Sequence, residues 1–389
     1  TSVGDITLQD GATLTLDQSL NVCGNVTGGS ASVAQVIGIN ELVLGGAAPQ
    51  NVSGKLEINI LRLMNPTGAT IAAGSRIDIF NEVDLQFGNL SVNSSAILRF
   101  RSTSSNQIAI LDDFSSGYTG TITGNITAQR AYDAAAYQDA HYFGTPVGGT
   151  VAANFGSANG SSGFVTATGN CDETALAAGS LYGNVYSYDQ SNGASCNVAG
   201  WKVEAAANTI TPGKGYSVRK VGAGTLSVSG PPNLASSYTQ NGSNGGWFNV
   251  SLQGRPTLAG WTMVSNPYLA TLDLNAAPVP AGYDAQYAVW NATGPFAGTY
   301  TSETVIAPFQ AFFVRRSTAG GPMPFTINGS SRSKNPQQFQ ALNNSETMTL
   351  YVTNTTNGLK DKTTVGFSTD ATTQFDSQLD AVKLSGALA

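Results

Sequence analysis

The chain has 389 residues, of which 11% are charged, with 18 Lys plus Arg against 24 Asp plus Glu. An average soluble protein carries about 25% charged residues, so the surface must be made of Ser, Thr, Asn and Gly. A net charge of −6 with 41% apolar residues excludes the highly charged, apolar-poor composition of disordered chains. It also argues against nucleic acid, because no basic run exceeds two residues and phosphate binding needs clustered cations. No apolar run approaches the roughly 20 residues of a membrane-spanning helix, so no membrane partner is expected.

Residues 1–130 read as a succession of short apolar fragments: "DITL", "ATLTL", "INELVL", "GKLEINILRL", "SRIDIF", "EVDLQF" and "AILRF". Gly, Asn, Ser and Asp separate them. Leu14 and Leu16, then Leu56, Ile58 and Ile60, then Ile77 and Ile79 alternate with polar residues, the period of a half-buried strand. Numerous similar fragments without Asn-Gly hairpin signals favour a β-solenoid over a sandwich. The ends of such a solenoid are bare strand edges. Ile6, Leu8, Leu14 and Leu16 in "GDITLQDGATLTL" are therefore candidate subunit contacts.

From about residue 131 the texture becomes aromatic and the chain repeats itself. "HYFGTPV", "VYSYD", "ITPGKGYSVRK" and "GTLSVSG" return in order as "WTMVSNPY", "YAVWN", "IAPFQAFFVRR" and "PFTINGS". The expected fold class is all-β, an irregular solenoid over 1–130 followed by two related β-sandwich units at 131–235 and 236–389. Tyr216 and Val218 of the first copy should correspond to Phe312 and Val314 of the second. "ETMTLYVTN" and "KTTVGF" read as a hairpin that belongs to the second unit.

Catalytic tools are scarce. His141 is the sole histidine, and its place in the repeated motif, opposite Trp261, marks it as a packed aromatic rather than a base. No GxSxG, Walker or CxxC motif occurs. Asp78, Glu82, Asp84, Asp112 and Asp113 are the carboxylates that a solenoid hydrolase would need. Asp78 and Asp84 are expected to face solvent between core residues, and Asp112 and Asp113 to cap a turn. No catalytic residue is assigned and no enzyme is expected. No cofactor or metal is expected either, although loops such as "CDET" and "STDATTQFDSQLD" have the oxygen ligands that calcium would use.

Cys171 and Cys196 enclose a Gly- and Ser-rich loop, and a disulfide between them would suit an oxidising compartment. Cys23 reads as a buried small hydrophobe. Trp247, after a Gly-rich loop, and Tyr186, in a Tyr-rich strand, are candidate glycan contacts. The chain begins at Thr1 rather than Met, compatible with removal of a signal peptide.

The order "GTITGNITAQRAY", "YFGTPVGG", "NVYSYD", "ITPGKGYSVRK", "GWTMVSNPYLATLDLNA", "YAVWN", "IAPFQAFFVRR" and "DKTTVGFSTDATTQFDSQLDAVKLSG" resembles large secreted surface proteins of Bacteroidetes exported by the type IX secretion system. The resemblance covers roughly 120–386. It implies export, cell-surface or extracellular placement, and roles in adhesion, gliding or surface structures; it carries no catalytic residues. Such chains usually continue into a C-terminal sorting module, which this sequence lacks after "DAVKLSG". With the absence of chemistry, the expectation is a secreted structural protein that associates with itself into a filament, sheath or layer. The alternative is a monomeric adhesin that binds surface polysaccharide.

Overall fold

In the computed structural model, residues 2–135, 140–155, 185–188, 201–220, 222–234, 237–240, 261–293, 299–316, 325–335, 347–353 and 360–366 are described. Among these, helix is limited to Val151–Phe155 and two single 3-10 turns, Leu274–Ala276 and Gly329–Ser331. The protein is all-β and begins with a three-faced parallel β-solenoid.

The first face stacks Thr13–Thr15, Ala34–Ile37, the start of Lys55–Met64, the start of Arg76–Phe87, Ile97–Phe100 and Ile126–Tyr132. The second stacks Ser2–Val3, Leu20–Val22, Leu42–Leu44, the remainders of the two long strands, and Ile110–Asp112. The third is a separate six-stranded sheet: Ile6–Thr7, Val26–Thr27, Gln50–Ser53, Ala69–Ile71, Asn89–Val92 and Thr121–Thr123.

In-register stacking makes columns. Ala34, Leu56, Ile77 and Leu98 form one inward column, Val36, Ile58, Ile79 and Phe100 the next, and all are buried. The two long strands cross from the first face to the second, and there the alternation slips. Leu56 and Ile58 point inward, Ile60 does not, and Leu61 and Leu63 resume the core. The expectation for Ile60 thus fails at a corner. Arg76–Phe87 breaks register at the same place, between Ile79 and Glu82.

The corners are made by glycines and buried amides. Asn65 is fully buried; its Nδ2 donates to the Ala48 carbonyl (2.8 Å) and to Gln50 Oε1 (3.0 Å), and its Oδ1 accepts from Thr67 N (2.9 Å). Gln50 in turn donates to the Val22 carbonyl at 2.9 Å. Gly88 lies directly on this corner with φ +84°, where a Cβ would meet the Asn65 carbonyl oxygen at 2.0 Å.

The last solenoid strand, Ile126–Tyr132, pairs antiparallel with Gly224–Gly230, which hands the core over to the duplicated region. Each copy has a four-stranded antiparallel sheet of the same order. Ala140–Phe143, Tyr216–Arg219, Val185–Tyr188 and Trp201–Val203 make the first; Trp261–Ser265, Ala311–Arg316, Tyr283–Asn291 and Thr299–Ser302 make the second. Companion pairs repeat too: Gly149–Thr150 with Thr209–Ile210, and Thr271–Asp273 with Val305–Ile306. Ser237–Gln240 pairs Phe325–Asn328 as Ile126–Tyr132 pairs Gly224–Gly230.

Register places Val218 against His141 and Val314 against Thr262. Tyr216 and Val218 therefore do match Phe312 and Val314, whereas His141 corresponds to Thr262 and not to Trp261. Thr347–Thr353 and Lys360–Gly366 form the expected hairpin.

Gly88→Ala is expected to destabilise the chain by at least about 2 kcal/mol, since it adds left-handed strain to a backbone collision. Gly74→Ala, at φ +73° with nothing within 4 Å of its Cβ, should cost only the strain, about 1 kcal/mol. Denaturant titration of both variants measures the difference.

Candidate functional site

The outward columns of the solenoid hold its charges. On the first face Thr13, Gln35, Glu57, Asp78 and Arg99 stack in register. Gln35 Nε2 donates to Glu57 Oε2 at 2.7 Å. Asp78 receives Arg99 Nε (2.6 Å) and Arg76 Nη2 (2.7 Å) and is fully buried beneath them. Burial opposes its ionisation, but the hydrogen bonds from Arg99 and Arg76 outweigh it and hold the carboxyl below the ordinary range.

On the second face Arg62, Asp84 and Asp112 stack. Arg62 donates through both Nε (3.1 Å) and Nη2 (2.9 Å) to Asp84 Oδ2 and also pairs with Glu41 at 2.5 Å. Glu82, Asp84 and Asp112 bring one carboxylate oxygen each within 4.8 Å of one another. Into this cluster projects Lys334, from the end of the second repeat. Its Nζ lies 3.1 Å from Asp84 Oδ1, 2.9 Å from Asp112 Oδ2, and against Glu82 Oε1. Asp112 Oδ1 also accepts the backbone N–H groups of Phe114 (3.1 Å) and Ser115 (2.9 Å), and its Oδ2 the hydroxyl of Ser115 (2.6 Å).

Burial pushes Glu82 up to about 7, and the neighbouring Asp84 adds to the shift. Asp84 is driven the other way: burial alone would raise it, but hydrogen bonds from Glu82, Arg62 and Lys334 hold it low. Lys334 is raised, because its contacts with the carboxylates outweigh desolvation.

The cluster exists because the second repeat docks on the solenoid's flank. Arg332 pairs with Asp113 at 2.5 Å, and its guanidinium lies over the rings of Phe114 (4.7 Å) and Tyr268 (4.8 Å). Leu111 N donates to the Leu269 carbonyl at 2.7 Å. The expectation that Asp78 and Asp84 face solvent is therefore corrected: both point outward, but arginines and the second repeat cover them. Asp112 does cap the turn that follows it, as expected. Sequence reasoning missed Lys334 and Arg332, because their partners lie more than 200 residues away.

The remaining candidates divide. Ile6, Leu8 and Leu14 are half-buried at the solenoid's first rung, and Leu16 is 5% exposed and belongs to the core. Cys23 is exposed, not buried as expected, with Ser2 Oγ 3.1 Å from its sulfur; it sits on the outer side of the turn after Leu20–Val22. Cys171, Cys196, Trp247 and the two acidic loops lie outside the described residues.

Tyr186 is corrected as a glycan contact. It is 4% exposed and packs with Tyr142, Trp261, Trp290 and Phe313 between the two four-stranded sheets. His141 is buried among Tyr132 (5.0 Å between centroids) and Phe143 (5.6 Å). Among the described residues no helix is long and apolar enough to cross a membrane.

Compared with known proteins, the chain matches no family model, no curated protein and no solved structure.

Asp78→Asn is expected to lower stability at neutral pH by about 2 kcal/mol, the worth of hydrogen bonds to a charged group. Because the folded pKa of Asp78 is depressed, that contribution is present above the unfolded value near 4 and fades as pH falls through the folded one. Melts at pH 7 and in strong acid should show the difference between the two chains vanish in acid; a constant difference would mean that the ionised carboxylate is not what matters.

Proposed function

We propose that the chain is a secreted, non-enzymatic structural subunit of the cell surface or extracellular space. It associates with further copies through the first rung of its solenoid. One observation supports this: among the described residues, that rung is paired on one side only of each of its three faces. Among the described residues, Ser2–Val3, Ile6–Thr7 and Thr13–Thr15 each pair with the second rung alone. Ile6 and Leu8 donate to the Asn25 and Thr27 carbonyls, both at 2.8 Å, so alternation turns the N–H of Thr7 off the end of the stack.

Half-buried Val3, Ile6, Leu8 and Leu14 lie behind this edge, an apolar floor of the kind a further strand would cover. A second copy is the occupant of choice, because the inward columns of this chain are already matched to one another rung upon rung. A contact between two first rungs would close as a symmetric dimer, whereas one between the first rung and another surface propagates as a filament or layer unless its rotation closes a ring. The low charge and the likeness to exported surface proteins support the placement outside the cell. We read each repeat as a small β-sandwich, its four-stranded sheet closed by the shorter pairs on one side.

A second reading, a module that binds polysaccharide, is favoured by the third face. Its six strands carry no charged residue, and outward Asn51, Thr70 and Ser91 lie in register, offering uncharged hydrogen-bonding groups at a spacing of about 4.8 Å.

Thr7→Pro removes the outward N–H without touching a paired one. It is expected to leave the melting temperature unchanged and to abolish assemblies that sedimentation velocity and electron microscopy detect in the parent chain. Dispersed particles of the parent chain at high concentration would reject self-association, and retention on insoluble polysaccharide would then decide for the second reading.

A further inference from the structure

The cluster of Lys334 with Glu82, Asp84 and Asp112 is built unlike an ordinary ion pair. Its three carboxylates are not equivalent. Asp84 is fixed as an anion by the two-pronged contact with Arg62. Asp112 is fully buried, and its two oxygens are in different hands: Oδ1 takes two backbone N–H groups, whereas Oδ2 faces Lys334 Nζ and the Ser115 hydroxyl. Glu82 touches the same Nζ and completes the ring.

An amine 2.9 Å from one carboxyl oxygen, with two N–H donors on the other, brings together the groups that acyl transfer uses. The donors sit on the oxygen that would become the oxyanion, and the fold holds Nζ in ion-pair contact with the carboxyl whose carbon it would attack. We infer that Lys334 and Asp112 condense into an intramolecular amide that staples the second repeat to the solenoid.

The step balances without any co-reactant. A proton passes from Lys334 Nζ through Glu82 to Asp112, and the free amine then attacks Cγ. The Nζ–Cγ bond forms, and the negative charge collects on Oδ1 against the N–H groups of Phe114 and Ser115. The Cγ–Oδ2 bond then breaks and Oδ2 leaves as water. Glu82 gives the departing oxygen its proton and receives one from Nζ, so it ends as it began. Nothing is oxidised or reduced; an ammonium and a carboxylate become an amide and one water.

Glu82 is suited to this exchange because burial brings it to about 7, where both of its forms are populated near neutral pH. Lys334 is held as the cation at rest, which makes its deprotonation through Glu82 the slow event. Glu82 is therefore a proton carrier for the bond and not a partner in it.

Intact mass of the full, denatured chain tests the inference. The expected result is a mass lower than the sequence requires by one water, with a branched peptide joining the Lys334 and Asp112 segments after proteolysis. Lys334→Arg keeps the charge and the docking contact; it should fold, by circular dichroism, and show the full mass. Glu82→Gln should fold and accumulate the linked form at least tenfold more slowly after refolding. A folded parent chain at full mass with separate Lys334 and Asp112 peptides, unchanged on prolonged incubation, would overturn the bond. A branch to Asp84 or Glu82, or loss of water confined to one unbranched peptide, would overturn the assignment to Asp112.

Discussion

The solenoid, the first third of the chain, follows from one constraint: in a parallel solenoid each residue lies about 4.8 Å from its counterpart in the next rung. Each side chain therefore meets the side chains directly above and below it, inward on inward and outward on outward. Inward, this is favourable without further provision, and columns such as Ala34–Leu56–Ile77–Leu98 fill the core with aliphatic groups. Outward, the same rule is a hazard, because Glu57 directly beside Asp78 sets two like charges on neighbouring strands. The chain answers with Gln35 on one side and Arg76 and Arg99 on the other. It answers on the second face with Arg62 between Glu41 and Asp84. The pairing of the outward charges on these two faces is a consequence of that spacing.

The duplicated half obeys a different constraint, an internal two-fold. Gly144 N donates to the Phe309 carbonyl (2.9 Å), and the equivalent Ser265 N donates to the Gly213 carbonyl (2.7 Å). Phe143 bridges Gln310 as Val264 bridges Lys214. Each repeat thus offers its twin the same surface, as subunits of an isologous dimer do. Gly213 has φ +83°, and Phe309 holds the same conformation at φ +67°, where a bulky residue is strained. Its fully buried ring shows what offsets that strain: packing holds in the second copy a turn that glycine makes without cost in the first. The aromatic layer of Tyr142, Trp290 and Phe313 fills the space between the twin sheets.

Alternation in the sequence identifies strands well, and the order of repeated motifs identifies the duplication, because both depend on near neighbours. What it cannot supply is whatever covers an outward side chain. Asp84 lies between Val83 and Leu85, and the period puts it outside the core correctly; that it is nonetheless 1% exposed depends on Lys334, 250 residues further on. Tyr186 fails for the same reason, since its alternation shows a face and not the twin sheet pressed against it. Ile60 fails for another: a corner slips the phase by one residue, and no local signal separates a corner from a continuing strand. For Cys23 the residue type is the sole signal, and small apolar character does not decide on which side of a turn a residue falls.

These misses share a cause that bears on the site itself. A carboxylate column on an open solenoid face would be solvated, and its members would titrate as ordinary acids. Docking of the Arg332–Lys334 segment removes the water from Glu82, Asp84 and Asp112 at once. It supplies a single ammonium to three acids. Burial and the neighbouring Asp84 therefore weigh most on the carboxylate that has neither an arginine nor a backbone amide of its own. Asp84 has Arg62 and Asp112 has the amides of the following turn. Glu82 has neither, and its elevated pKa is the residue of that competition. The unusual chemistry of the cluster is thus a property of the interface between the two halves of the chain, and of neither half alone.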